Sequence, residues 1–189
     1  MSKINKKIRS LRYDFTKSEL YEKNVDKNPF LQFEKWFEEA MESEQPDTNA
    51  FTLATSSAEG VPSARILLLR GFSQAGFEFY TNYHSRKAND IENNPNGCIL
   101  FFWNKLQRQV RIEGKIEKIT GAASDEYFKS RPKDSRIGAW ASTQSKVIPS
   151  RLYLEEQAKK FTEQYLTEVF NQPQILSLQD QRIRSIQSF

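Results

Sequence analysis

From Ala50 to Thr81 three β-forming runs follow one another with only short turn signals between them, two more follow by Ile119, and this spacing is the strongest constraint on the fold. Phe51-Thr52-Leu53-Ala54-Thr55 is closed by Ala58-Glu59-Gly60. Ser63 to Arg70 follows, and Ser73-Gln74-Ala75-Gly76 turns the chain into a third strand, Phe77 to Thr81. Gly97 to Trp103 and Gln107 to Ile119 complete the set. Parallel neighbours need crossovers of a dozen or more residues, so the short connections among the first three runs and between the last two imply antiparallel pairing. In the last strand Val110, Ile112, Gly114 and Ile116 alternate with Arg111, Glu113, Lys115 and Glu117, so one face is wet. A small closed barrel with Greek-key-like antiparallel strands is expected, because closure removes exposed edges. The fold class is mainly β with flanking helices (α+β).

The helices flank that block. Asn28-Pro29 caps a helix ending before Pro46, with Phe30, Phe33, Phe37, Ala40 and Met41 on its stripe. Ser85 caps a short helix over Arg86 to Asn93, stopped at Asn94-Pro95. A helix near Ser124 to Lys129 precedes a loop through Arg131-Pro132. Another begins near Ser150, with Leu154, Ala158, Phe161, Tyr165 and Val169 in register. Residues 1–27 read as an arm anchored by Leu11, Tyr13, Phe15, Leu20 and Tyr21, whereas 171–189 is a Gln- and Ser-rich tail without a legible period. No repeat or linker divides the chain, so 1–189 is expected to form one domain.

A single Cys and a single His exclude an internal disulfide and a Cys- or His-rich zinc cage, and no metal is expected. His84 has no partner that would make it a base, and Cys98 reads as a packed core thiol. The basic start lacks the apolar stretch of a secretory signal, and no apolar run approaches the ~20 residues of a membrane span. A cytoplasmic protein without a membrane partner is expected. Lys and Arg number 28 against 24 Asp and Glu, a net +4 that suits an anionic small ligand at least as well as nucleic acid.

Cations and hydroxyls gather at strand ends: Arg65 and Arg70, Tyr80-Thr81 with Ser85-Arg86-Lys87, and Arg108 with Gln109 and Arg111. Such groups can converge on a phosphate, aided by the helix start at Ser85. By composition alone a solvated, salt-bridged surface is the better reading. Tyr127, Arg131 and Ser135 step by four residues across a helix end and suit a second anion. Taken alone, they read better as a core aromatic with surface polar groups. No GxGxxG or GxxxxGK[ST] loop occurs, which argues against a dinucleotide fold or a nucleotide triphosphatase.

The runs NPFLQFEKWFEEA, FTLATSSAEGVPSARILLLRGF, GFEFYTNYHSRKANDIENNP, FFWNKLQRQVRIEGKIEKI, SDEYFKSRPKDSRIGAWASTQS and IPSRLYLEE resemble, in order and spacing, the pyridoxamine 5′-phosphate oxidase family. The resemblance spans roughly Arg12 to Glu156. It implies an FMN-binding split barrel acting as a homodimer with two FMN sites at the subunit interface. By the same resemblance FMN is held by Arg65, Ile66, Leu67, Leu68 and Arg70, by Tyr80 and Thr81, by Ser85, Arg86 and Lys87, and by Gln109. Gln144 and Ser145 are expected to reach it from the partner subunit. The substrate is expected at Arg12, Arg70, Tyr127, Arg131 and Ser135, with the segment from Arg12 to Phe15 as a lid.

The implied reaction is oxidation of pyridoxamine or pyridoxine 5′-phosphate by dioxygen to pyridoxal 5′-phosphate and hydrogen peroxide, within vitamin B6 biosynthesis and salvage. Hydride passes to FMN, so no catalytic acid or base is required of the chain. Three departures stand out. Arg70 replaces the family's usual Lys, Phe15 stands where some members have Tyr, and the family's WGGY-like and RLHDR-like segments have no match in 171–189, where only Asp180 and Arg182 echo them. The missing segments favour an alternative, an FMN- or pyridoxal-phosphate-binding protein with little or no oxidase turnover. A nucleic-acid-binding barrel, suggested by Phe101, Phe102 and Trp103 near Arg108 and Arg111, is the weakest reading, and no nucleic-acid partner is expected.

Overall fold

In the computed structural model, which describes residues 2–11, 19–119, 121–141, 144–165, 176–179 and 185–188, the five anticipated strands form. They are β1 (Ala50–Ser56), β2 (Pro62–Ser73), β3 (Gly76–Phe79), β4 (Asn96–Trp103) and β5 (Arg108–Lys118). β1 pairs antiparallel with β2, from Ala50 opposite Leu68 to Ser56 opposite Pro62, and with β4, Thr52 facing Leu100. β2 pairs with β3 through a register shift between Leu69 and Gly71. Two further short strands arise in the tail, β6 (Leu176–Gln179) and β7 (Ser185–Ser188). β6 lies antiparallel between β3 and β5. The order is β4-β1-β2-β3-β6-β5-β7, and an added β4–β5 pairing closes the antiparallel sheet on itself.

Among the described residues six α-helices form: α1 (Lys3–Ser10), α2 (Pro29–Glu42), α3 (Arg86–Asn93), α4 (Gly121–Ser130), α5 (Lys133–Ala141) and α6 (Arg151–Tyr165). Neither α1 nor α5 is expected from the sequence. α1 starts where the Ser2 hydroxyl accepts from the Asn5 amide at 3.3 Å. α5 begins on the far side of Pro132, whose carbonyl accepts from the Arg136 amide at 3.1 Å. Among the described residues no helix is long and apolar enough to cross a membrane.

The chain forms two compact units, Met1–Thr48 with Phe102–Val110 and Ile186–Phe189, and Asn49–Phe101 with Arg111–Ser185. In the first, Phe33, Trp36 and Ala40 of α2 are buried, and the rings of Phe33 and Phe37 lie 6.1 and 6.0 Å from Trp103. The Trp103 indole donates to the Thr48 carbonyl at 3.0 Å, which satisfies its one donor. Met41, expected on the helix stripe, is 52% exposed, because the buried row runs through 33, 36 and 40. Arg108 packs 4.7 Å over Trp36 and pairs with Glu39 at 2.7 Å.

In the second unit the inward face of the sheet is apolar. Phe51, Leu53, Phe77, Phe79, Ile99, Phe101 and Ile112 are all buried, and Phe51 packs 5.8 Å from Phe79 and 5.5 Å from Phe101. Cys98 is a correction to the core-thiol expectation: it lies on the opposite pleat from Ile99 and is only half-buried. The β5 alternation appears as expected, with Val110, Ile112 and Ile116 inward. α6 half-buries Leu154, Ala158 and Phe161, whereas Val169 lies outside the described residues. Since Phe51 joins three strands through its ring contacts, Phe51→Ala should cost about 3–5 kcal/mol in urea unfolding. A loss below ~1 kcal/mol would mean that the neighbouring rings collapse into the space.

Candidate active site

β2 and the end of β3 set one wall of a cavity of about 470 Å³. Ile66, Leu67 and Leu68 line it from mid-strand, and Arg70 joins them from the bulge between Leu69 and Gly71. A bulge re-aims the residue it carries. The third strand was expected to run to Thr81 but stops at Phe79, so Tyr80 and Thr81 leave the ladder and line the cavity with Asn82. α4 contributes Tyr127 and Phe128, Arg131 follows directly after its last residue, α5 contributes Ser135, Gly138 and Ala139, and Gln144 completes the rim. Arg70, Tyr80 and Thr81 of the first group read from the sequence thus face the same cavity as Tyr127, Arg131 and Ser135 of the second.

Within it the Tyr80 and Tyr127 rings stack with centroids 3.6 Å apart and planes 2° from parallel. The Arg70 guanidinium lies 5.6 Å from the Tyr127 centroid, and that of Arg131 5.8 Å from the Phe128 centroid. The Thr81 hydroxyl is buried and, among the described residues, has no hydrogen-bond partner. An orphaned buried donor at a cavity wall marks a group that a ligand can satisfy.

A polar cluster lies at the start of α3. Ser85 is buried and caps the helix, its hydroxyl accepting from the Ala88 amide at 3.4 Å. Asp90, one turn further, is 5% exposed and accepts from Thr55 at 3.1 Å and Ser63 at 2.9 Å. Arg65 pairs with it at 3.9 Å and donates to the Leu53 carbonyl at 3.1 Å and the Thr55 hydroxyl at 2.8 Å. Burial holds the Arg65 guanidinium below its ordinary range, with Asp90 opposing that shift and Arg86 adding to it. Lys87 is only 7% exposed and donates to the Gln144 Oε1 at 2.8 Å, which ties the cluster to the cavity rim. Burial first, and the Arg65 charge second, pull its ammonium from 10.5 to about 8. Arg86 is exposed. Arg65, held by the buried Asp90, with Lys87 and Arg86 at a capped helix start, fit a phosphate-bearing ligand.

Not every expected residue gathers here. Arg65, Ser85, Arg86 and Lys87 do not line the cavity, and Gln109 lies half-buried on β5 in the first unit. Ser145 is exposed with a left-handed φ of 67°. Arg12 and Phe15 of the expected lid, and Asp180 and Arg182 of the tail, lie outside the described residues. His84 is exposed, and Phe101 and Trp103 are buried rather than offered to solvent as stacking platforms. Sequence reasoning missed Asp90, an acid indistinguishable by pattern from a solvated helix charge, and Gly138, where an added Cβ would meet nothing within 4 Å.

The family model described as pyridoxamine 5′-phosphate oxidase matches residues 37–165. The chain belongs to that family. Two pyridoxine/pyridoxamine 5′-phosphate oxidases illustrate the relation. That of Nostoc sp. is 46% identical over 170 residues, covering 90% of this chain and 79% of the relative. That of Bordetella pertussis is 52% identical over 158 residues, covering 84% and 75%. Among solved structures, PhzG from Burkholderia lata in complex with tetrahydrophenazine-1-carboxylic acid superposes with a TM-score of 0.77 at 20% identity, covering 85% of this chain and 80% of PhzG. A pyridoxamine 5′-phosphate oxidase-related, FMN-binding protein from Nostoc punctiforme gives 0.62 at 20% identity, covering 82% of each chain. These likenesses establish the FMN-binding split-barrel fold expected of this family member.

The Lys87 shift makes a stability prediction. Below about pH 8 the amine is protonated in folded and unfolded chains alike, so its buried charge weighs fully on the fold. Between about 8 and 10.5 the unfolded chain holds a proton that the folded protein has lost, and stability gains with rising pH. Relative to Lys87→Met, the unliganded protein should therefore gain stability from pH 7.5 to 10 in denaturant titrations. Parallel pH profiles for the two proteins would mean that Lys87 titrates as an exposed amine.

Proposed function

We propose that the protein oxidises pyridoxamine or pyridoxine 5′-phosphate with dioxygen, giving pyridoxal 5′-phosphate and hydrogen peroxide, with ammonia also released from the amine. The observation that carries this reading is the convergence of Arg70, Tyr127, Arg131 and Ser135 on one cavity with Tyr80, Thr81 and Gln144, in a member of this family. FMN, when bound, supplies the hydride acceptor and the route for electrons to dioxygen. Its phosphate suits the cations Arg65, Arg86 and Lys87, and the Thr81 hydroxyl is the buried donor that a ligand would satisfy. Ile66 to Leu68 give the ring an apolar floor, with Gln144, Ser145 and Gln109 as further polar contacts of the cofactor set.

The substrate phosphate falls to Arg131, the Tyr127 hydroxyl and Ser135, a guanidinium fork and two hydroxyls matched to a dianion, with Arg70 a further contact to the substrate. Arg12 belongs to the same proposed substrate set. The chain's contribution is charge neutralisation and orientation, to which rate is highly sensitive, since ~1 Å of misplacement can cost about a hundredfold. The reading includes a cytoplasmic homodimer with two FMN, in which Ile66 and Leu68, 64% and 38% exposed on β2, belong to the buried interface. The departure in 171–189 favours one alternative, cofactor or pyridoxal-phosphate binding with little turnover.

Anaerobic titration separates the two. Protein loaded with FMN should bleach in the visible on addition of pyridoxine 5′-phosphate and recover in air, whereas a binding protein would stay yellow. Arg131→Ala should raise KM for the phosphorylated substrate at least tenfold with FMN content intact. Equal loss of FMN would contradict this division of labour.

A further inference from the structure

We propose that Tyr80 is a positioning residue for the substrate-phosphate grip, acting through its stack on Tyr127 and so setting the preference for phosphorylated over unphosphorylated substrate. The inference rests on the reading that Tyr127, Arg131 and Ser135 hold that phosphate. Tyr80 is held on both sides by the fold, since Phe79 before it is buried in the core and Thr81 after it is buried at the cavity wall. Tyr127 instead rides on α4, a helix outside the sheet.

The stack joins the two, with centroids 3.6 Å apart and planes within 2° of parallel. Parallel rings this near to face-on place like quadrupoles together, which aromatic pairs avoid unless something compensates. Arg70, 5.6 Å from the Tyr127 centroid, supplies a positive charge next to one of the two rings. Burial does not demand the contact, because both rings are only half-buried and line the cavity.

Fixing the plane of the Tyr127 ring fixes the arc in which its hydroxyl can lie. Arg131 follows one helical turn later, so the same contact holds the C-terminal end of α4 in register with Arg70 on β2. Burial and the neighbouring Glu78, in that order, raise the Tyr80 hydroxyl above its ordinary value. At neutral pH the ring is a neutral phenol in any case and adds no negative charge beside a phosphate.

The test uses the FMN-loaded protein and compares equilibrium affinity for pyridoxal 5′-phosphate with that for pyridoxal. Tyr80→Leu should weaken the phosphorylated ligand about fivefold to tenfold and pyridoxal less than twofold, while Tyr80→Phe, which keeps the stack, should resemble the parent. In a Tyr127→Leu background the Tyr80→Leu effect should largely vanish. Tyr80→Ser gives the same comparison if the Leu variant does not fold. Equal weakening of both ligands, or an undiminished effect in the Tyr127→Leu background, would overturn the proposal. Arg131→Ala, measured alongside, separates the two levels. If it leaves the phosphorylated ligand unaffected, the phosphate is held elsewhere and the functional reading falls together with this inference. If it weakens that ligand and Tyr80→Leu does not, only the role of Tyr80 falls.

Discussion

The buried Asp90 carboxylate is the contact on which the site depends. It gathers hydrogen bonds from Thr55 on β1 and Ser63 on β2 and faces the Arg65 guanidinium, so three elements of the second unit meet at one charge. A carboxylate this deep is tolerable only when paired and hydrogen-bonded, and here it is both. By fastening α3 to the sheet it also fixes where Ser85 and Lys87 stand, and Lys87 in turn holds Gln144 at the rim. An Asp90→Asn change would leave the shape while removing the counter-charge of the cluster.

β2 serves both sides of this arrangement. Arg65 turns to the buried carboxylate, whereas Ile66, Leu68 and Arg70 belong to the cavity wall. The register shift at Leu69 and Gly71 separates regular pairing with β1 from the end of the β3 ladder. Arg70, Tyr80 and Thr81 all stand where backbone pairing lapses, so their side chains are free to serve a ligand. A regular ladder would have spread these three groups over two faces of the sheet.

The sheet was legible in the sequence because a period of two over short runs leaves few alternatives, and β1, β4, β5 and α3 fall within a residue or so of their expected bounds. The cap at Asn28-Pro29 marked α2 for the same kind of local reason. α5 was not legible, since Lys133-Asp134-Ser135-Arg136 reads as a polar loop after Pro132 and Gly138 weakens the helical signal. The residue types of the two candidate groups were plain, but the meeting of Arg70, Tyr80 and Thr81 with Tyr127, Arg131 and Ser135 in one cavity depends on long-range packing that no local pattern encodes. Asp90 was invisible for the opposite reason: its burial comes from the strands that cover it.

The neighbouring cations Arg65 and Lys87 carry a consequence for the life of the protein rather than for its chemistry. Burial first, and the Arg65 charge second, hold Lys87 at about 8, so the folded chain keeps a buried ammonium beside a guanidinium at some cost. An anion that binds only the folded chain relieves it and stabilises the fold in proportion to the logarithm of its concentration. Folded abundance would then track the supply of that anion, since chains that open more often are removed sooner by proteases. A cell short of the ligand would accordingly lose the protein itself as well as its occupancy.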